Sequence, residues 1–280
     1  MNTKDLYAQI QAKKTMLCVG LDTDFNKMPQ HIQKLAQDGE IAVHGDLLKG
    51  TARSLYEFNK AIIDATSEHC VAYKPNLAFY ECYGREGMLA LEKTVDYIRN
   101  NHPEQFIIAD AKRGDIGNTA KMYAKTYFET MDFDAVTISP YMGSETVIPF
   151  LEYPGKFAIV VALSSNKSSA DFQMAQQDGK PLYQEVMEKM MSISTPDNMM
   201  FVVGATKADK LAEIRKFCPD NFFLVPGVGA QGGSAEEVIA HGANAMGGLL
   251  INSSRGIIYA SNGEDFAEAA GRAAAATANI

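Results

Sequence analysis

Short, continuous apolar runs alternate with longer amphipathic segments along most of the chain. The apolar runs predict strands, and the segments between them, with apolar residues three or four positions apart, predict helices. After one helix within residues 1–14, the pattern predicts eight strands, each followed by a helix. The predicted strands are residues 16–22, 70–76, 106–112, 134–139, 157–164, 200–205, 222–226 and 248–252. The predicted helices are residues 46–69, 87–100, 118–131, 144–151, 182–191, 208–217, 234–240 and 264–276.

The strand pattern indicates an α/β protein with a parallel sheet. Its strands are uninterrupted apolar runs, as expected when both faces of a sheet are covered. Eight β/α units in 280 residues predict a (β/α)8 TIM barrel with a parallel eight-stranded core, as a single domain over residues 1–280. The alternative is an open doubly wound sheet, but no Gly-x-Gly-x-x-Gly follows the first strand. The polar residues 165–180 are expected to form a loop over the barrel mouth.

The third predicted strand ends in a concentration of charge. Asp110 and Lys112 are two positions apart, so they would leave an extended strand on the same side, and Asp115 follows across a turn. A surface salt bridge would explain this short pattern equally well in isolation. In a barrel, however, active sites lie at the carboxyl ends of the strands, and six of the other seven predicted strands also end in or lead into polar residues. These residues are Asp22, Lys74, Ser139, Ser164, Ser165 and the segments 226–233 and 252–256.

The segments after the last two strands predict a phosphate site. Residues 226–233 are rich in glycine and lead into a helix, whose N-terminal N–H groups favour anions. Arg255 follows the last strand and offers a guanidinium to phosphate oxygens. Loops after the seventh and eighth strands commonly bind phosphate in this fold. The alternative is that the glycines only form tight turns and that Arg255 is solvated.

Lys74, Asp110, Lys112 and Asp115 would form an array of alternating charges. The carboxylates would keep Lys112 protonated, which makes it a poor Schiff-base nucleophile but a good proton donor to a developing carbanion. Two aspartates accompanied by two lysines make a poor site for a hard cation, and the five histidines have no ligand spacing. The sequence therefore predicts no metal site.

Composition narrows the class of partner and the compartment. A net charge of −8 argues against binding to nucleic acid polymers or anionic membranes. The four scattered cysteines include no Cys-x-x-Cys pair and indicate reduced thiols. No signal peptide is apparent, and the longest apolar run is too short to span a bilayer. We therefore expect a cytoplasmic protein.

Four separated motifs occur in order along the chain. They are Lys74-Pro75-Asn76, Asp110-Ala-Lys112-Arg-Gly-Asp115-Ile-Gly-Asn-Thr119, Pro226-Gly-Val-Gly-Ala-Gln231-Gly-Gly and the arginine after the last strand. These motifs resemble those of the orotidine 5′-phosphate decarboxylase family, in its longer bacterial, type 2 form, and the resemblance runs from Leu21 to about Tyr259. After the fifth strand, related sequences often carry Ser-Asn-Pro-Gly, where this chain has Ser165-Asn166-Lys167-Ser168.

The resemblance implies a reaction and roles for the charged residues. Orotidine 5′-monophosphate would lose carbon dioxide to give uridine 5′-monophosphate, the final step of de novo pyrimidine nucleotide synthesis, without cofactor or metal. Lys112 would protonate the resulting carbanion, and Asp110 would lie against the departing carboxylate. Lys74 would complete the charge network and contact the ribose, as would Asp22.

The resemblance also implies a homodimer and a set of substrate contacts. Asp115, a further catalytic residue, and Thr119 would reach into the neighbouring subunit's site. Ser165 would recognise the base edge, although Ser164 is an alternative. The remaining substrate-binding candidates are Gln231 and Arg255 for the phosphate, with Gln231 in a loop that closes over the ligand, and Asn76, Gly232 and Ser254.

Two other functions remain open at this stage. The first is a metal-dependent sugar-phosphate decarboxylase or epimerase of the same superfamily, which shares Asp-x-Lys-x-x-Asp but would want a further acid where this chain has Lys74. The second is a catalytically silent nucleotide-binding barrel, which would gain nothing from placing an anion beside a substrate carboxylate.

Overall fold

The computed structural model describes residues 1–205, 208–227 and 234–278, and these contain a closed barrel of eight parallel strands. The barrel strands follow one another in the order β1, β4, β5, β6, β7, β10, β11 and β12, and β12 lies beside β1. The strands are β1 (Leu17–Leu21), β2 (Ile41–Val43), β3 (Asp46–Leu48), β4 (Ala72–Pro75), β5 (Phe106–Arg113), β6 (Ala135–Ile138), β7 (Phe157–Leu163), β8 (Gln176–Gln177), β9 (Lys180–Pro181), β10 (Met199–Val203), β11 (Phe223–Pro226) and β12 (Leu249–Ser253).

Helices separate the barrel strands along the chain, and none in the described part of the chain is long and apolar enough to cross a bilayer. The helices are α1 (Thr3–Lys13), α2 (Gln30–Lys34), α3 (Gly50–Thr66), α4 (Ala78–Glu81), α5 (Gly84–Asn101), α6 (Gly117–Lys125), α7 (Ile148–Leu151), α8 (Leu182–Met191), α9 (Ala208–Phe217), α10 (Ala235–Gly242), α11 (Arg255–Ile258) and α12 (Phe266–Ala278).

The predicted TIM barrel is confirmed, and each predicted strand overlaps an observed one. Two local predictions are wrong. The helix predicted from residue 46 begins at Gly50, because Asp46–Leu48 pairs with Ile41–Val43 in an antiparallel hairpin. The helix predicted to residue 131 ends at Lys125 and continues as a π turn. Residues 165–180 contain a 3₁₀ turn and most of the β8–β9 hairpin, and their position over the barrel mouth stays a prediction.

Two parts of the chain are each compact. One comprises Met1–Ile10 with Ala111–Asn252, and the other comprises Gln11–Asp110 with Ser253–Ile280, each taken over its described residues. In the second part, the ring of Phe58 on α3 stacks on Tyr259 and on Phe266 of α12. In the first part, Phe128 packs edge-on against Phe150 of α7. The description of the chain as one domain stays a prediction.

Candidate active site

A buried ion cluster lies at the carboxyl ends of the first three barrel strands. Lys74 is on β4, Asp110 is on β5, and Asp22 directly follows β1. The Lys74 Nζ lies 2.9 Å from Asp110 Oδ2 and 3.8 Å from Asp22 Oδ1. Only 4% of Lys74 and 9% of Asp110 are exposed, so both charges depend on each other for stabilisation. The structure therefore brings together three of the predicted site residues.

The electrostatics of Lys74 follow from this environment. Burial by itself would lower the pKa of the ammonium, since it disfavours the charged form. The carboxylates of Asp110 and Asp22 act in the opposite direction and prevail, so the pKa of Lys74 lies above its ordinary value. The lysine is therefore a permanent cation in the site at neutral pH.

Backbone hydrogen bonds hold the segment that carries Asp22, while one oxygen of the Asp22 carboxylate can still accept a hydrogen bond. Tyr259 Oη donates a hydrogen bond to the Asp22 carbonyl at 3.0 Å and accepts one from Asp24 N at 2.7 Å. Asp22 Oδ1 is buried and has no hydrogen-bond partner among the described residues, although the Lys74 ammonium is near. A hydroxyl group of a ligand would satisfy this oxygen.

A buried polar network supports the same segment and was not anticipated from the sequence. Asn59 Nδ2 donates to Tyr80 Oη and to Thr94 Oγ1, both at 3.0 Å, and Tyr80 Oη donates to the Leu21 carbonyl at 3.1 Å. Thr23 Oγ1 donates to Asn59 Oδ1 at 2.6 Å. The available signal was the presence of Asn59 and Thr94 among mostly apolar residues on the buried faces of two helices.

Lys112 departs from the geometry that the strand pattern predicted. Its φ of 45° places it in the left-handed region, so the two-residue alternation of an extended strand stops at this residue. Its backbone N–H donates to Thr137 Oγ1 at 2.9 Å. Lys112 is exposed, whereas Asp110, two residues earlier on the strand, is buried.

Asp115 lies in the turn after β5, and Thr119 lies in the first turn of α6. Asp115 is half-buried, and its Oδ1 accepts a hydrogen bond from Ile116 N at 2.8 Å. Thr119 is exposed on α6. A β-carbon on Gly114 would lie 3.0 Å from the Ser139 carbonyl, so a glycine lets the chain turn closely past the end of β6.

The serines after β7 are embedded in a local hydrogen-bond network. Gln173 Oε1 accepts from Ser164 N at 2.8 Å, and Gln173 Nε2 donates to Ser164 Oγ at 2.9 Å. Ser164 Oγ also donates to Asn166 Oδ1 at 2.6 Å. A β-carbon on Gly204 would come within 2.7 Å of the Ser165 backbone, so this close approach requires glycine. Gln173 thus orders a turn that lacks the Pro-Gly of related sequences.

The polar groups at the end of the last barrel strand differ in exposure and in whether they already form hydrogen bonds. Arg255 is exposed at the start of α11, and its guanidinium has no ion-pair partner among the described residues. Ser254 Oγ donates to the Gly20 carbonyl at 3.0 Å. Asn252 is 9% exposed, and its Oδ1 has no hydrogen-bond partner within the described part of the chain. Gln231 and Gly232 lie outside the described residues.

Asn76 is also hydrogen-bonded within the chain. Its backbone bridges to Asp110, and its Oδ1 accepts from Ala78 N at 3.3 Å at the start of α4. The described residues contain no group of three or more His, Cys, Asp or Glu side chains placed to hold a metal ion.

These features define the class of protein: a (β/α)8 barrel whose buried ionisable groups lie at the carboxyl ends of its strands, where enzymes of this fold have their active sites. Comparison with known proteins then gives the family. The profile described as the orotidine 5′-phosphate decarboxylase / HUMPS family matches residues 15–270. The chain belongs to this family.

Individual relatives agree with this assignment. The chain is 52% identical over 275 residues to the orotidine 5′-phosphate decarboxylase of Phocaeicola vulgatus, covering 98% of this chain and 95% of that protein. It is 53% identical over 277 residues to that of Porphyromonas gingivalis, with coverage of 98% and 95%. Among solved structures, the OMP decarboxylase of Leishmania donovani has a TM-score of 0.79 at 35% identity, with 100% of each chain covered.

Proposed function

We propose that the protein converts orotidine 5′-monophosphate to uridine 5′-monophosphate and carbon dioxide, the last step of de novo pyrimidine nucleotide synthesis. The observation that carries this proposal is the buried Lys74–Asp110 ion pair, with Asp22 beside it. Asp110 keeps an anion where the substrate carboxylate would bind, and Lys74 keeps that anion stable. The named activity of relatives that are 52% and 53% identical supports the same reaction.

The chemical step needs one proton donor and no electron acceptor. The bond between the pyrimidine ring and its carboxylate carbon breaks, carbon dioxide leaves, and the electron pair stays on the ring carbon. Lys112 Nζ then gives a proton to that carbon, forming the C–H bond of the product. Asp110 disfavours the bound carboxylate by charge repulsion, and the protonated Lys112 stabilises the developing negative charge.

The remaining candidates would bind the nucleotide. Asp22 and Lys74 would contact the ribose, because Asp22 Oδ1 is a buried acceptor that lacks a hydrogen bond. Ser165 would contact the base edge, and Asn252 would offer a further polar contact. Gln231 and Arg255 are proposed to bind the phosphate. The remaining substrate-binding candidates are Asn76, Gly232 and Ser254.

We further propose that the protein is a homodimer in which Asp115 and Thr119 complete the partner's site. The surface near these residues supports this proposal because it exposes large apolar side chains on and beside α6 and α7, which pack together. Tyr141 is 87% exposed, and the others are 41–53% exposed. This apolar face consists of Ile116, Met122, Tyr141, Met142 and Ile148.

The unpaired cysteines are consistent with a cytoplasmic location.

The alternative function, a metal-dependent sugar-phosphate decarboxylase or epimerase, is not favoured by the relatives, which are named orotidine 5′-phosphate decarboxylases. That candidate would need a metal-binding acid where this chain has Lys74, whose ammonium already pairs with Asp110. The residues at this position therefore favour a metal-independent reaction.

Turnover by purified protein tests the proposed function. The protein is treated with a chelator and mixed with orotidine 5′-monophosphate, and the ultraviolet absorbance is followed. Conversion to uridine 5′-monophosphate, unchanged when Mg²⁺ is added back, is the expected result. No conversion by folded protein would eliminate the proposal, and conversion that depends on Mg²⁺ would contradict the metal-independent mechanism.

A further inference from the structure

The backbone of Lys112 has a conformation that is unusual for its place in the fold. Five non-glycine residues of the described chain have positive φ angles, and four of them follow helical segments or lie in hairpin turns, where such angles are tolerated. Lys112 is the exception, because its φ of 45° occurs within β5. The other four are Lys14, His44, Asp132 and Asp178.

A left-handed residue inside a strand persists only when its surroundings hold it there, and such residues concentrate at functional sites. The Lys112 side chain is long and unbranched, so it gives the backbone no local reason to adopt this angle. The cause therefore lies in contacts made around residues 111–113, and three of them act on the backbone.

The first contact is made by Lys112 itself. Its backbone N–H donates to Thr137 Oγ1 at 2.9 Å, which is a full-strength hydrogen bond. Thr137 lies on β6, is only 1% exposed, and is paired with Ile159 of β7. The acceptor is thus built into the rigid part of the barrel rather than into a loop.

The other two contacts hold the residues on either side. The Arg113 guanidinium donates to the Ala111 carbonyl at 3.0 Å and lies over the ring of Tyr123. The Arg113 carbonyl accepts from Ser139 N at 2.8 Å. Hydrogen bonds therefore hold the backbone of both Ala111 and Arg113, and the bond to Thr137 holds the backbone of Lys112 between them.

We propose that Thr137 is a positioning residue for catalysis: its hydroxyl oxygen holds the Lys112 backbone in the left-handed conformation and so sets where the Lys112 ammonium delivers its proton. This proposal rests on the proposed function, because it gives Lys112 the role of proton donor. Thr137 itself would not touch the substrate. Its loss should therefore slow the chemical step and leave substrate binding intact.

The test compares Thr137→Val, which removes the hydroxyl at nearly constant volume, with Thr137→Ser, which keeps it. Thr146→Val is a matched control, since Thr146 is fully buried, packs beside Gly114 and has an Oγ1 without a hydrogen-bond partner among the described residues. For each variant we would measure kcat and KM for orotidine 5′-monophosphate, affinity for uridine 5′-monophosphate, and the thermal unfolding midpoint.

The expected result is a loss of about 10- to 100-fold in kcat for Thr137→Val, with KM and product affinity unchanged. Thr137→Ser and Thr146→Val should retain the wild-type kcat. If Thr137→Val does not fold, Thr137→Ala replaces it with the same expectation. An unchanged kcat in the folded valine or alanine variant, or an equal loss in the serine variant, would overturn the inference. Absence of turnover in the wild type would instead contradict the proposed function.

Discussion

Lys74 Nζ and Asp110 Oδ2 form an ion pair of 2.9 Å in the interior of the protein. Lys74 is 4% exposed and Asp110 is 9% exposed, so neither charge has enough water to replace its partner. Such a pair is costly to separate, because removal of one member leaves a buried charge uncompensated. Its presence at the carboxyl ends of two neighbouring strands links the stability of the protein to its chemistry.

Replacement of Lys74 by methionine should lower both stability and activity. The variant leaves Asp110 and Asp22 without their cation, so we expect a loss of about 3–5 kcal/mol in the free energy of unfolding. Turnover should be lost as well. Urea denaturation and the absorbance assay measure the two effects.

Lys93→Met is the matched control for this prediction. Lys93 is also 4% exposed and pairs with Asp46, Glu92 and Asp96. Its partners are 41–50% exposed, so water can solvate them after the substitution, and the loss of stability should be smaller. Turnover should persist. Equal loss of turnover in both variants would mean that Lys74 acts through stability alone.

The raised pKa of Lys74 gives stability a defined pH dependence. A group with a higher pKa in the folded state binds its proton more tightly there, so its contribution is complete below the unfolded-state pKa. That contribution should begin to decline only as the pH rises above 10.5, the ordinary lysine value. Urea denaturation of the wild type and Lys74→Met over alkaline pH should give a difference in stability that shrinks in this range. A difference that changes across neutral pH would contradict the assignment.

The four thiols should differ in reactivity. Cys82 is exposed, whereas Cys18, Cys70 and Cys218 are buried. Burial raises the pKa of Cys70 and of Cys218 to about 12 in each case, and it also raises the pKa of Cys18. Iodoacetamide should therefore modify one thiol in the native protein and all four after denaturation, as counted by mass spectrometry. Cys82→Ser should abolish the native reaction, and rapid modification of a second native thiol would contradict the burial of the other three.

Mixing two inactive variants tests the contribution of Asp115 to the partner's site. If Lys112 and Asp115 of one site come from different subunits, a mixed dimer of Lys112→Ala and Asp115→Ala chains has one intact site. Random exchange should restore about a quarter of the wild-type activity. A mixture of Lys112→Ala and Lys74→Ala should stay inactive, because one site of the mixed dimer then lacks Lys112 and the other lacks Lys74. No recovery in the first mixture, despite verified subunit exchange, would place Asp115 in its own subunit's site.

The sequence was sufficient to predict the barrel, because buried parallel strands have an apolar pattern that depends little on distant contacts. It also located Asp22, Lys74 and Asp110, since each follows or ends such a strand. The hairpin formed by Ile41–Val43 and Asp46–Leu48 was missed because three-residue strands are too short to show alternation. The glycine at position 45 was the available signal, since both residues of the His44-Gly45 turn have positive φ.

The backbone conformation of Lys112 could not be predicted from local sequence. The two-residue period assumes an extended strand, and the departure at Lys112 coincides with a hydrogen bond to Thr137, which lies 25 residues away in the chain. The same limit applies to the hydrogen bonds between Gln173 and Ser164, because the turn that brings these residues together has no pattern in the local sequence. Long-range contacts of this kind have no signature in a single sequence.

Turnover by the Lys112→Ala variant tests the central claim most directly. The variant should bind uridine 5′-monophosphate, as measured by calorimetry, but should fail to convert orotidine 5′-monophosphate in the absorbance assay. Lys216→Ala, which removes an exposed lysine on α9, should retain wild-type turnover. Near-normal turnover by folded Lys112→Ala would contradict the role of Lys112 as proton donor.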